Sequence, residues 1–338
     1  MIAPLAKSID WSVLQMAHAI IKLRPVPEAK WRLAEALELL NGPDSFPAVS
    51  QPARIEFCGP RNFKFPTPRP CQDEENNIVY GRLYRCAERW RERPAIIFLD
   101  GNPAVGYHFA FPLVARWLNR AGFNVATLIA SYHLKRRPRR SLEWSCLAFA
   151  RVMTQNVAEI RALTGWLLDE GCPSVGIVGF SFGGYLAGLI ACSDPRIACA
   201  VLTVPAVRLT TSQSAVSRRR REALDALRPA QEAIDTTRLN LLLSQPVIPK
   251  ENILLIEGIN DLLAPRQPIE DLWQKWQQPE IWRLPHGHIS ALFVPGLTGR
   301  VLDWLAPRLN RPFKPDRGTP PNTALGPLAR RRGSALDR

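Results

Sequence analysis

At 338 residues, 46% of them apolar and ten of them tryptophan, the chain is long enough for one large α/β core of about 250 residues with extensions. Its seven cysteines are scattered with no C-x-x-C pair, which argues against a disulfide framework or a zinc site and for a reducing, cytoplasmic setting; no run of ~18 uninterrupted apolar residues offers a transmembrane helix. The formal charge of +14 is concentrated in residues 307–338, where eight Lys and Arg stand against two Asp, and in the basic clusters at 135–140 and 218–221. No nucleic-acid motif accompanies it, so nucleic-acid binding is not expected, while peripheral contact with an anionic surface such as phospholipid headgroups stays open.

Residues 1–50 read as an N-terminal helical appendage. Met1 to Asp10 has no basic segment ahead of an apolar run, and no signal peptide is expected. Ser8 is a candidate N-cap for a helix over Ile9 to Lys22. Pro27 to Leu40 sets Trp31, Leu33, Ala34, Leu37 and Leu40 at helical spacing.

From Arg54 the period changes to strands. Arg54 to Cys58 and Ile78 to Cys86 form a first pair, separated by the proline-rich Pro60 to Pro70. Then strands alternate with helices: Pro94 to Asp100, a helix over Phe109 to Ala121, Phe123 to Ala130, and a long helix within Leu142 to Glu170. The strand Ser174 to Phe180 follows, then Ile197 to Pro205, Asn252 to Gly258, a helix over Leu262 to Trp276, Glu280 to Leu284, and a closing helix over Ile289 to Leu305. Such alternation implies parallel βαβ units, a mostly parallel sheet covered by helices on both faces. Residues 207–250 interrupt it as a helical cap insertion within a domain spanning 51–306, with helices expected at Glu222 to Leu227 and Pro229 to Leu243. Residues 307–338, rich in Pro, Gly and Arg, read as a disordered basic tail.

The chain is organised around Pro173 to Leu189. A β-branched strand runs into Gly179-Phe180-Ser181-Phe182-Gly183, and a small-residue helix follows. Gly-x-Ser-x-Gly in that setting is a nucleophile elbow, in which a serine sits on a strained turn with its hydroxyl exposed above the sheet. An activated serine needs a base, and the base an orienting carboxylate. Asp261 lies in the loop beyond the apolar run Leu254 to Gly258 and is the expected acid. Glu257 competes from within the strand, and capping the following helix is the alternative role for Asp261. His288, in Pro285-His286-Gly287-His288, is the expected base because a loop glycine precedes it; His286 is the alternative. The oxyanion hole would take the N–H of Phe182 and one from the loop after Leu99, where Pro103 has none to offer; Asn102 is the expected donor, with Ala104 behind it. His108 could line the mouth of the site. No step of the resulting acyl transfer to water needs a metal or organic cofactor.

Over positions 54–306 these residues resemble the α/β-hydrolase superfamily, and the resemblance implies the α/β-hydrolase fold and a serine hydrolase. Phe98-Leu-Asp-Gly-Asn102, Ser131-Tyr-His-Leu-Lys-Arg-Arg-Pro138 and Gly287-His-Ile-Ser-Ala-Leu292 are similar to the group of alpha/beta hydrolase domain-containing protein 18. The basic loops, the Trp and Phe content and the cap suggest a small-molecule or lipid acyl ester with an anionic portion; the alternatives are a catalytically silent binding protein of the same fold, or an acyltransferase, thioesterase or peptidase using the same triad. Tyr132 and Arg136 are then candidate substrate-binding residues, with a structural or solvated surface charge as the other reading for Arg136 and Arg137.

Overall fold

The computed structural model describes residues 4, 6–8, 10–11, 32–42, 45–46, 51–101, 110–138, 145–207 and 228–310. Among these residues nine strands build one sheet: β1 (Glu56–Phe57), β2 (Asn62–Pro66), β3 (Ile78–Tyr84), β4 (Ala95–Leu99), β5 (Asn124–Leu128), β6 (Val175–Phe180), β7 (Ile197–Thr203), β8 (Ile253–Gly258) and β9 (Glu280–Leu284). Their spatial order is β1-β2-β3-β5-β4-β6-β7-β8-β9. The first strands join antiparallel up to β3 against β5, and every pairing from β5 through β4 to β9 is parallel. Strands buried on both faces read as continuous apolar runs, which is why β4, β6, β7 and β8 were the clearest in the sequence.

Helices cover the sheet, among them α1 (Leu33–Asn41), α2 (Ala110–Arg120), α3 (Cys146–Asp169), α4 (Phe182–Ala191), α5 (Arg266–Lys275) and α6 (Leu297–Leu309). The two-residue alternation of a strand sends successive side chains to opposite faces. In β4, Ala95, Ile97 and Leu99 enter the core under α1, α3, α4 and α5, whereas Ile96 enters the core under α2 and α6. The longest helix, α3, starts where the Ser145 hydroxyl accepts from Ala148 N–H at 3.1 Å. Among the described residues no helix is long and apolar enough to cross a membrane. None of the seven cysteines is in a disulfide.

The fold departs from the sequence reading in four places. The proline-rich stretch contains β2, whose alternating Phe63 and Phe65 are buried while Asn62 and Pro66 face out, so Pro66 sits at a strand end where a missing N–H is tolerated. The helix expected from Leu262 begins at Arg266, because Leu262 to Ala264 turn around the Asp261 side chain. The closing helix is split: a 3₁₀ turn covers Ser290–Phe293, Pro295 and Gly296 (φ 75°) interrupt it, and α6 then runs on to Leu309, past the expected end. Within the cap region residues 228–234 are helical and turns follow, so the helix expected up to Leu243 is shorter. The expected helix at Glu222 to Leu227, most of the one over Ile9 to Lys22, and 311–338 lie outside the described residues.

Because β4 and β6 to β9 run parallel, their C-terminal ends share one edge of the sheet. Loops leaving that edge converge, the usual place for a site in such a sheet.

Candidate active site

At the end of β6 the chain turns through Ser181 at φ 56°, ψ −115°, and continues directly into α4. A non-glycine residue there is strained by about 1–3 kcal/mol and persists only if its surroundings hold it. Ser181 N–H donates to Thr203 O at 2.9 Å, and its carbonyl accepts from Tyr185 N–H at 3.0 Å and Ala206 N–H at 3.2 Å. The turn is tight enough to demand glycine on both sides. A Cβ on Gly179 would lie 2.1 Å from Gly183 O, and one on Gly183 would lie 2.2 Å from Leu99 O. The N–H of Phe182, in the first turn of α4, is a helix N-terminal donor with no intrahelical acceptor to satisfy it.

The next residue comes from the loop beyond β9. His288 is 3% exposed, with Nε2 2.8 Å from Ser181 Oγ and Nδ1 2.7 Å from Asp261 Oδ2. With the proton on Nδ1, the ring donates to Asp261 and accepts from the Ser181 hydroxyl. Phe180 packs beside it, ring centroids 5.2 Å apart.

Asp261 serves two functions at once. Its Oδ1 accepts from Leu263 N–H (2.8 Å) and Ala264 N–H (2.7 Å), which locks the loop, and its Oδ2 is left for the imidazole. The helix-capping role set against this in the sequence does not arise: α5 begins at Arg266 behind Pro265, and Oδ1 holds the loop ahead of it.

The alternatives fall elsewhere. Glu257 is buried within β8 against Arg266 and Arg283, with Nε atoms 3.2 and 3.4 Å from its Oε1. Burial and the nearby Glu270 push its carboxyl up to about 7. His286 contributes its carbonyl to Asn260 N–H at 3.0 Å, and its Nδ1 is buried without a partner. Asn102, Ala104 and His108 lie outside the described residues.

Two residues expected at the substrate are engaged inside the protein instead. Arg136 is fully buried, bidentate to Glu159 at 2.6 and 2.7 Å, and also donates to Ile129 O and Asn76 O. Its place in a run of basic residues hid that it points inward. Tyr132 adopts φ 61° and donates its hydroxyl to Asp73 Oδ2 at 2.9 Å, and burial raises its phenol above the usual range. Between them His133, given no role from sequence, lies over the Phe182 ring with centroids 6.2 Å apart. Its Nδ1 is 2.8 Å from Ser131 O, and burial lowers its pKa.

One more side chain reaches these loops: Asp10, fully buried, accepts from the backbone N–H groups of Leu262, His288 and Ile289. Nothing in its local sequence signals this, since its partners are more than 250 residues away.

Two family models match the chain. "Alpha/beta hydrolase domain containing 18" matches residues 55–218 and includes Ser181; "Serine hydrolase (FSH1)" matches residues 150–297 and includes Ser181, Asp261 and His288. An uncharacterized protein of Mycobacterium tuberculosis is 32% identical over 141 residues, 40% of this chain and 33% of the relative, so the match spans about a third of that relative's length. Among solved structures, esterase Pf2001 of Pyrococcus furiosus superposes with a TM-score of 0.52 at 18% identity, covering 77% of this chain and 100% of that one. Est1E of Butyrivibrio proteoclasticus, bound to ferulic acid, gives 0.51 at 13%, covering 69% and 96%. The alpha/beta hydrolase GrgF of Penicillium sp. gives 0.51 at 15%, covering 75% and 100%. At these identities the structures speak to the fold, while the serine hydrolase match supports hydrolase chemistry.

Proposed function

We propose that the chain is a serine hydrolase of the α/β-hydrolase superfamily, a reading the two family matches support, and that it hydrolyses acyl esters through Ser181, His288 and Asp261. The observation that carries this reading is the unbroken hydrogen-bonded chain from Ser181 Oγ through His288 to Asp261, at 2.8 and 2.7 Å.

In this mechanism the Ser181 oxygen attacks the ester carbonyl carbon as His288 Nε2 takes the hydroxyl proton. Asp261 holds the ring in the tautomer that can accept it and stabilises the imidazolium. Negative charge develops on the carbonyl oxygen, opposite the Phe182 N–H and the N-terminal end of α4, with Asn102 as the proposed second donor. Collapse of the tetrahedral intermediate expels the alcohol, which receives the proton from His288. A water, deprotonated by the same nitrogen, then cleaves the acyl-enzyme, and the carboxylic acid and free Ser181 are released.

Labelling with a fluorophosphonate probe, followed by mass mapping, tests this directly. The expected adduct is on Ser181, absent from Ser181→Ala and His288→Ala, with hydrolysis of p-nitrophenyl acetate reduced at least ~10⁴-fold in both. A folded wild-type protein that neither labels nor hydrolyses the ester overturns the proposal.

A further inference from the structure

The loops that carry Asp261 and His288 are tied together by a carboxylate from the other end of the chain. Asp10 is 0% exposed. Its Oδ2 accepts from His288 N–H at 2.6 Å and from Leu262 N–H at 3.2 Å, and its Oδ1 accepts from Ile289 N–H at 3.1 Å. One donor is the backbone of His288 itself and another is the residue next to Asp261. Ile289 leads into the 3₁₀ turn at Ser290, so the carboxylate also satisfies N–H groups at the start of that turn. Hydrogen bonds to a charged acceptor are shorter and stronger than neutral ones, and three converge here on a single group.

Gly287 completes the arrangement. A Cβ at that position would lie 2.4 Å from Asp10 Oδ2 and 2.8 Å from its carboxyl carbon. The glycine ahead of the histidine, expected to give the imidazole room, instead makes room for Asp10. A pocket in the backbone of one loop is thus filled by a side chain from the N-terminal segment.

We propose that Asp10 is a positioning residue: by clamping the acid loop to the histidine loop, its carboxylate sets the 2.7 Å contact of Asp261 with His288 and aims Nε2 at Ser181. This rests on the reading of those three residues as the catalytic set. Asp10 touches no reacting atom. Its effect is on how often the imidazole occupies the productive geometry, and misplacement by about 1 Å is enough to cost ~10²-fold in rate.

The test compares wild type with Asp10→Ala, Asp10→Asn and Gly287→Ala, reading p-nitrophenyl acetate kinetics, the rate of fluorophosphonate labelling and the imidazole N–H proton in histidine-labelled NMR spectra. Asp10→Ala is expected to lower kcat about 10- to 100-fold with KM within ~2-fold, and to broaden or remove the far-downfield Nδ1–H resonance of His288. Asparagine keeps one acceptor oxygen for His288 and Leu262 but turns an NH₂ toward Ile289 N–H, so a smaller loss of about 3- to 10-fold is expected. Gly287→Ala, by displacing the carboxylate, should reproduce Asp10→Ala, and the double variant should be no worse than either single one. If Asp10→Ala does not fold, Asp10→Asn and Gly287→Ala carry the same comparison.

Variants that melt earlier yet keep kcat within ~2-fold, the labelling rate and the downfield resonance at temperatures where they are folded would overturn the proposal, leaving Asp10 a structural residue only. A wild-type protein that fails to label would count against the ester-hydrolase reading, not against the clamp. In that case the resonance decides: its presence in wild type and loss in Asp10→Ala supports the clamp, and its absence from wild type or persistence in the variant overturns it.

Discussion

The two halves of the candidate site are built in opposite ways. On the nucleophile side the parts follow one another in the chain: β6, Ser181 and α4 are contiguous, and the strained turn is enforced by close backbone approach, of Gly179 to Gly183 and of Gly183 to Leu99 at the end of β4. On the base side the parts come from far apart in the chain. Asp261 and His288 sit in loops 27 residues apart in sequence, and the group that joins them lies 278 residues from His288. A turn of contiguous residues derives its precision from sterics. Loops brought from distant parts of a chain have no such constraint, and there hydrogen bonds supply it: Asp261 within its own loop, Asp10 between loops.

That difference predicts different responses to small changes. Gly183→Ala should have the largest effect on folding. Its methyl would lie 2.2 Å from Leu99 O and 2.6 Å from Asp100 O, backbone atoms that cannot rotate aside. We expect a loss of at least ~3 kcal/mol, with stability and labelling of Ser181 lost together in thermal melts and probe assays. A Gly183→Ala protein with wild-type melting behaviour would break the comparison on its steric side.

Asp261→Asn should separate the two properties. The amide oxygen can still accept from Leu263 and Ala264, so the loop and the melting temperature are largely kept. Its NH₂ faces His288 Nδ1 and favours the wrong tautomer, so kcat should fall by ~10⁴-fold. Equal damage to folding and turnover in this variant would argue that the base side is held as rigidly as the elbow.

What the sequence revealed follows the same division. Gly179 to Gly183 was legible because the strand, the turn and the helix lie side by side and each carries its own signature. Asp261 and His288 could be placed from the order of strands, since each follows an apolar run and lies in the loop beyond it. Asp10 could not, because its partners are backbone N–H groups, and a backbone donor leaves no mark in the sequence of either loop. Which reading of Arg136 holds, structural charge or substrate ligand, was undecided for a related reason: charge runs describe composition, and only the structure reveals that Glu159 on α3 draws this one arginine inward. The strand at Asn62–Pro66 was hidden by the prolines around it, although Phe63 and Phe65 alternate as a half-buried strand should.

The smallest predicted effect concerns stability and lies just behind the acid loop. Glu257, at the end of β8, has a folded pKa pushed up to about 7 from 4.5, by burial first and by Glu270 next, against the opposing pull of Arg266 and Arg283. A raised carboxyl pKa means that the folded state binds the proton more tightly than the unfolded chain does. Its contribution is therefore fully present below pH 4.5 and is given up as pH rises through about 7. Glu270 works in a different window. Arg283 and Arg266 lower it to about 2, so its contribution is present above 4.5 and is lost only as pH falls toward 2. Glu257→Gln should then leave stability near pH 4 close to wild type and gain on it by pH 8, by on the order of 1 kcal/mol, in chemical denaturation followed across pH. A variant that instead loses ground as pH rises would show that the ion pairs of Glu257 outweigh its burial. The support behind the base side would then be electrostatic through and through, where the elbow depends on sterics.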